Sequence, residues 1–536
     1  MKALAKYLIL FAFGALMATA CKQQDSERQK QVFRYNESSN ITSLDPAFAR
    51  SQSNIWAINH LYNGLVQFND ELEVLPAIAQ SWSISEDGLE YRFALRDDVF
   101  FHESPCFPNG SRAVTAYDFV YSFRRLLSPE LAAPGAWVLS SVDTLYASAS
   151  DTFVIRLKSP FPAFISLLCM QYCSVLPQEA IDHFGSDFSR NPVGTGPFYF
   201  KLWAENEKLI LRRNPNYFEK ENGEQLPYLE AVAITFIPDK QSAFMEFLKG
   251  NLDMVSGLDP GYKDELLSRS GELREKYRDE IRMETVPYLN TEYLGILYQG
   301  LPANSPLAIR EVRQALNLCF DRERMMRFLR NNVGTAANQG FVPKGLAPFN
   351  EQAEYGYAYD PIRAAELLAQ AGYPKGQGLG EIVLLTNSSY LDLCEFLQSE
   401  AAKIGLTVRV EVTPPSTLRQ MMATAKADFF RGSWIADYPD AENYLSLFYS
   451  ANKAPNGPNY TQFSNPIFDT WYEEARVTTE LEQRLKLYAK MDSLVMYEAP
   501  IIPLYYDQVA RFYRPEMEGL QGNPLNLLTL KRVRKR

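Results

Sequence analysis

The chain is poor in the residues that carry out chemistry. Its 536 residues include only three histidines, His60, His102 and His183, so imidazole acid–base and metal chemistry have little to draw on. The usual catalytic spacings are missing as well. There is no Gly-x-Ser-x-Gly elbow, no His-Glu-x-x-His pattern and no dinucleotide fingerprint after a strand. The densest Gly/Pro punctuation is Asn191-Pro192-Val193-Gly194-Thr195-Gly196-Pro197-Phe198. No Lys-Ser/Thr follows it and no helix begins there, so it fails as a phosphate loop and reads as a crossover between domains. His102-Glu103 is a lone pair in a strand-turn and reads as structural. Carboxylate pairs such as Asp437/Asp440 occur in any chain with 64 acids, and do not indicate glycoside hydrolysis. Positive charge is not in excess: the net charge of −10 argues against nucleic acid as a partner. Beyond the N-terminus no apolar run approaches membrane-span length, and internal repeats and low-complexity domains are absent. No cofactor and no metal are expected.

What is present fits a large protein with several cores. Hydrophobic residues make up 46% and charged residues 22%, an ordinary globular balance, and the length exceeds what one core holds. Leu89 to Arg96 and Asp151 to Leu157 alternate as half-buried strands, and Thr115-Ala116-Tyr117-Asp118 is a capping box that opens an amphipathic helix. Ser53 to Phe68 has helical spacing. Later, Asn290 to Leu297 reads as strand and Ala308 to Leu329 as one basic helix. A helix capped by Asp360-Pro361, strand Glu381 to Leu385, helix Leu391 to Ile404 and strand Leu406 to Val412 then follow in turn. Helix alternating with strand indicates an α/β lobe. The end, Lys531-Arg532-Val533-Arg534-Lys535-Arg536, reads as a solvated tail.

The N-terminus has a targeting pattern. Lys2 and Lys6 precede the apolar run Tyr7 to Ala20, which is short for a bilayer span and ends in Ala18-Thr19-Ala20 directly before Cys21. It resembles a bacterial lipoprotein signal, with Ala18 where the usual pattern has Leu. The expectation is a signal peptide over 1–20, lipidation at Cys21, and a polar tether completing 21–32. Five cysteines follow, an odd number, so at least one thiol stays free. Cys319 and Cys394 fall in apolar helical patterns and read as buried thiols. Export permits disulfides, and Cys106 in its Pro/Gly-rich loop could pair with Cys173 or Cys169.

The stretch Arg431-Gly432-Ser433-Trp434-Ile435-Ala436-Asp437-Tyr438-Pro439-Asp440 reads as a strand ending in a turn. It joins a Trp, a carboxylate and an Arg six residues upstream of that carboxylate. A carboxylate beside an aromatic wall takes an ammonium group, and an Arg takes a carboxylate, so the two ends of a short zwitterion could be held here.

Several segments then occur in a recognisable order: Ser43-Leu44-Asp45-Pro46, Leu61-Tyr62-Asn63-Gly64-Leu65, Ala79-Gln80-Ser81-Trp82, Val114 to Ser122, Gly194-Thr195-Gly196-Pro197, Arg213-Asn214-Pro215-Asn216-Tyr217, Val312-Arg313-Gln314-Ala315-Leu316, Ala371-Gly372-Tyr373, and the stretch above. Over roughly residues 33–515 the chain resembles the extracytoplasmic solute-binding proteins of peptide and nickel ABC importers, the oligopeptide/dipeptide-binding family. The resemblance implies an α/β, two-lobed periplasmic-binding-protein fold (class II-like) with an extra domain, three domains around a hinged cleft. The domains would be I (33–70, 193–285 and 497–536), II (71–192) and III (286–496). It implies that Asp437 binds a peptide α-ammonium, that Trp434 walls it, and that Ile435 and Ala436 offer backbone groups. Arg431 would meet the carboxylate of a short peptide, and Arg50, Ser51 and Gln52 would supply backbone partners from the opposite lobe. It further implies a monomer, lipid-held at the membrane in the periplasm or at the cell surface, that hands short peptides to the transmembrane subunits of an ABC permease. A peptide sensor, another cargo (nickel chelate, haem, glutathione or a sugar) or an exported hydrolase are the alternatives. The loop Glu103 to Arg112 is longer than the family's usual turn and is expected at the cleft rim.

Overall fold

A computed structural model describes residues 31–257, 259, 262–302 and 304–536. The expected signal peptide, Cys21 and nearly all of the tether lie outside the described residues. The tether's last two residues are already part of the fold: the Gln31 side-chain amide donates to the Lys535 carbonyl, and Val32 opens strand Val32–Asn36.

Two long strands organise the molecule. Arg282–Ile296 and Ile501–Tyr513 pair antiparallel and form the middle of an eleven-stranded sheet. Beyond the first lie Phe429–Ile435, Ile382–Thr386 and Val408–Val412. Beyond the second lie Met254–Ser256, Val32–Asn36, Ala231–Thr235, Lys208–Arg213 and Phe198–Ala204. The register of the long pair shifts between Pro287 and Thr291 and again between Glu292 and Tyr293. Proline donates nothing to a ladder, and an irregularity of this kind bends a sheet. One end of the pair thus belongs to one lobe and the other end to the second.

The second lobe is three-layered. Along its strands alternate residues face opposite ways. Leu294, Ile296, Leu384 and Phe429 pack against helices Arg310–Leu318, Arg322–Leu329, Pro361–Gln370 and Leu391–Lys403. Tyr293, Leu385 and Phe430 pack against Pro466–Val477 and Leu481–Glu498. The single helix expected from Ala308 to Leu329 is two. Asp321 breaks it by accepting from the Arg324 amide (2.9 Å), a cap that restarts the backbone ladder. The first lobe combines its half of the long sheet with a four-stranded antiparallel sheet: Ala79–Ile84, Glu90–Leu95, Thr152–Leu157 and Val142–Ala149. Helix Ala116–Leu127 lies on it through Phe119, Phe123 and Phe153, and opens at its capping box, where Asp118 accepts from the Thr115 amide (2.8 Å). Both sheets share one core, so they form one rigid lobe.

The helical spacing of Ser53 to Phe68 is a helix only over Gln52–Leu61; Val66–Phe68 is a strand. The helix ends where the Gly-rich crossover lies across it. The Gly196 amide donates to the Leu61 carbonyl (2.9 Å). A Cβ at Gly194 would fall 2.1 Å from the Leu61 oxygen, and one at Gly196 2.4 Å from the Leu61 carbonyl carbon. Backbone cannot yield there as a flexible side chain could. Gly196→Ala should therefore destabilise the first lobe by about 1–3 kcal/mol, the usual cost of overpacking. Urea denaturation followed by circular dichroism checks it.

Two further expectations are corrected. The basic C-terminus is not a solvated tail: Val533 is buried, Lys531 pairs with Glu219 (2.6 Å) and Lys535 with Asp253 (2.6 Å). A chain that buries Lys531 and half-buries Lys535 against fixed carboxylates is part of the fold. The loop Glu103 to Arg112 is not on the cleft rim. Arg112 ties it to Asp118 and Glu179 (2.6 Å each) and lies over the rings of Phe101 and Phe107, and the loop contributes nothing to the cavity described below.

Candidate functional site

Strand Phe429–Ile435 runs toward the gap between the lobes and ends just before Asp437. Asp440 then caps the short helix Ala441–Leu445, its side chain accepting from the Glu442 amide (2.9 Å). That helix supplies Asn443, which fixes both residues of interest. Its side-chain oxygen accepts from the Asp437 amide (3.1 Å) and from the Trp434 indole (2.9 Å), and its nitrogen donates to the Asp437 carboxylate (3.4 Å).

Asp437 sits where the lobes meet. The next residue, Tyr438, is packed into the first lobe's core and lies 6.4 Å from the ring of Trp137. Across from Asp437 is Tyr172, whose hydroxyl is pushed up to about 12, first by burial and then by the Asp437 charge, with Arg50 opposing. Water still reaches the Asp437 carboxylate, yet protein surrounds it closely enough that desolvation pushes its acid up to about 6, against the hydrogen bond from Asn443. A carboxylate held in a crevice and short of donors is prepared for a cation.

A cavity of about 990 Å³ begins two residues away, at Ile435 and Ser433, and reaches between the lobes to the long strand pair. That is near the upper end of the ~300–1,000 Å³ of small-ligand clefts. The Ala436 amide donates to Leu289 (2.8 Å) inside the sheet. Antiparallel neighbours alternate, so Ile435 and Ser433 turn their backbone groups the other way. On that side Ile382–Thr386 meets the strand only through Leu385 and Phe430, which leaves the edge beyond open along the cavity.

The other residues read from the sequence divide. From the first lobe Gln52 lines the cavity. The Arg50 amide donates instead to Phe48 (2.7 Å), and the Ser51 side chain caps helix Gln52–Leu61. Ala436 has its amide committed to the sheet. Arg431 already has a carboxylate: it pairs with Glu292 and lies 3.2 Å from the centre of the Tyr390 ring. Sequence reasoning missed Asn290, Glu292 and Asp507, which also line the cavity. For Asp507 the signal was a carboxylate after the apolar run Ile501 to Tyr506; Asn290 and Glu292, in the polar run Asn290-Thr291-Glu292, gave none. The pairing of Cys106 with Cys173 or Cys169 does not occur: all three are free thiols, and Cys173 is buried with its sulfur toward the Leu167 carbonyl. Cys319 and Cys394 are buried thiols as expected. Among the described residues no group of three or more His, Cys, Asp or Glu is placed to hold a metal ion.

Comparison with known proteins agrees with this geometry. Residues 73–456 match the family described as bacterial extracellular solute-binding proteins, family 5 Middle. A probable di/tripeptide-binding protein 5 of Pseudomonas aeruginosa is 27% identical, covering 88% of this chain and 89% of the relative. A heme-binding protein A of Haemophilus influenzae is 25% identical over 97% of each chain. The solved structure of DppA, an ABC transporter-associated periplasmic binding protein from Helicobacter pylori, in complex with the peptide STSA, superposes with a TM-score of 0.78. It is 25% identical and covers 95% of this chain and 99% of that one. The chain belongs to the bacterial extracellular solute-binding proteins of family 5, a family of binding proteins and not of enzymes.

Proposed function

We propose that this protein captures short peptides in its interlobe cleft, as a monomer held to the membrane by lipid at Cys21, and delivers them to an ABC permease. The observation that carries the reading is the Asp437 carboxylate at the end of an open strand edge that continues into the cavity. A peptide lying along Ile435 and Ser433 would add a strand to that edge, its α-ammonium meeting Asp437 and its ring neighbour Trp434. Gln52 would approach from the other lobe. The names of the Pseudomonas and Helicobacter relatives support a peptide cargo; that of the Haemophilus relative offers haem as the competing one. Arg431 would meet a ligand carboxylate only by giving up Glu292.

Native mass spectrometry of the protein purified without added ligand tests this. Release on denaturation of masses that fragment as peptides of a few residues is the expected result. Release of haem, with its Soret absorbance, would replace the peptide reading with a tetrapyrrole one.

A further inference from the structure

Resting on the peptide reading above, we propose that Asp507 and Asn290, with Tyr288, Tyr390 and Tyr505 beside them, form a separate pocket of the cavity that recognises a cationic side chain of the ligand.

The place is the middle of the long strand pair. Asn290 and Asp507 stand on its two strands and both line the cavity, as do the three tyrosines. The charges here are mostly cancelled inside the protein. Glu292 has Arg431, and Arg330 lies 3.8 Å from Asp392. Asp507 is different. It accepts from the Asn290 side-chain amide (3.2 Å) and the Gln508 backbone amide (2.8 Å); Arg330, also on the cavity wall, is near enough to act on its charge, yet among the described residues no ion pair to Asp507 forms. Burial, and then the nearby Glu292, push its acid up to about 6, against the hydrogen bonds from Gln508 and Asn290 and the more weakly acting Arg330 charge. An arriving cation would restore the ionised form.

Asn290 gives an independent sign. Its side-chain nitrogen donates to two carboxylates, Glu292 (3.1 Å) and Asp507 (3.2 Å), which fixes the orientation of the amide. Its oxygen therefore presents as an acceptor, and it has no partner although the residue is only 4% exposed. Buried acceptors left unpaired are uncommon and call for a donor. Asp507 and the Asn290 oxygen together ask for a group with several N–H donors and a positive charge.

The tyrosines complete the case. Tyr288 and Tyr505 stand close enough to Asp507 that its charge adds to the effect of burial in raising their hydroxyls. One face of Tyr390 is taken by the Arg431 guanidinium, so Tyr288 and Tyr505 are the rings the wall offers first. Aromatic rings beside a carboxylate are the usual surroundings of a bound ammonium or guanidinium. An acidic side chain would meet the Asp507 carboxylate directly, and a neutral one would leave Asp507 desolvated without compensation.

Calorimetry on the full chain tests the pocket with tetra-alanine peptides in which each position in turn carries lysine or norleucine, arginine or citrulline, or glutamate. At one position lysine should bind at least about tenfold more tightly than norleucine and arginine than citrulline, with glutamate weakest. In Asp507→Asn those ratios should fall to near one. The arginine/citrulline comparison needs no variant, so it decides the matter even if Asp507→Asn fails to fold. Equal affinities for charged and neutral partners in the wild type overturn the pocket while the peptide reading stands. Ratios that survive in folded Asp507→Asn overturn it too. If none of the peptides binds, the peptide reading falls and takes the pocket with it.

Discussion

Asp437→Ala should weaken binding of a free peptide by about 2–5 kcal/mol, the cost of truncating one partner of a desolvated, hydrogen-bonded charge pair. N-acetylating the peptide should cost the wild type a similar amount and cost the variant almost nothing more. Additive losses would mean that Asp437 and the amine do not meet. The pH dependence adds a second readout. Desolvation raises the Asp437 acid to about 6. A raised carboxyl favours the folded state most below the usual carboxylate range, and that contribution is lost as the pH rises through about 6. Ligand acts in the opposite sense, because an ammonium favours the ionised form. Below pH 6 binding must expel the proton, so affinity should fall by up to about tenfold per pH unit, one pKa unit being 1.36 kcal/mol. Asp492 and Asp507 are raised into the same range, so the informative quantity is the difference between wild type and Asp437→Asn. Only the part that disappears in the variant belongs to Asp437.

That site was partly visible before any coordinates because its signal is local. A strand-forming run, a Trp and an Asp beside Tyr438-Pro439 describe a strand that stops at a turn, and a turn is where a carboxylate can stand free of the ladder. The same locality explains why Glu90–Leu95, the capping box at Thr115 and the cap at Asp360 were legible: which face is buried sets the period, and the cap needs only its own helix. What was illegible depends on partners far away in the chain. Arg431 looked like an available cation because its carboxylate, Glu292, is 139 residues distant. The first half of Arg282–Ile296 did not read as strand at all. It is polar and carries Pro287, and its conformation comes from pairing with Gln508–Tyr513. Asp507 could be recognised as a misfit in an apolar strand, but one sequence does not say which wall of which cavity the misfit faces.

The C-terminus was misread for the same reason, and its removal is the second large effect expected. Deleting residues 531–536 should destabilise the first lobe by about 5 kcal/mol or more. Lys531 reaches Glu219 (2.6 Å) and Gln67 (2.7 Å), and both members of the ion pair are largely shielded from water. Burial alone would raise the Glu219 acid; Lys531 and its hydrogen bonds instead hold it below the usual range. Leaving one member of such a pair alone costs about 3–5 kcal/mol. Val533, fully buried, adds about 1.5–3 kcal/mol for its lost apolar contact. Asp253 loses Lys535 but keeps the Arg34 amide (2.7 Å), so it adds less. A depressed carboxyl stabilises the fold above its usual range and stops doing so as the pH falls through its folded value. The penalty for the deletion should therefore shrink in acid, and urea denaturation at neutral and acid pH checks both size and sign. The control is charge without burial: Arg532→Ser and Arg536→Ser remove cations whose partners are at the surface, and should change stability by less than about 0.5 kcal/mol. If the deletion were as mild as the control, the six residues would be an appendage and the Lys531–Glu219 pair an incidental contact.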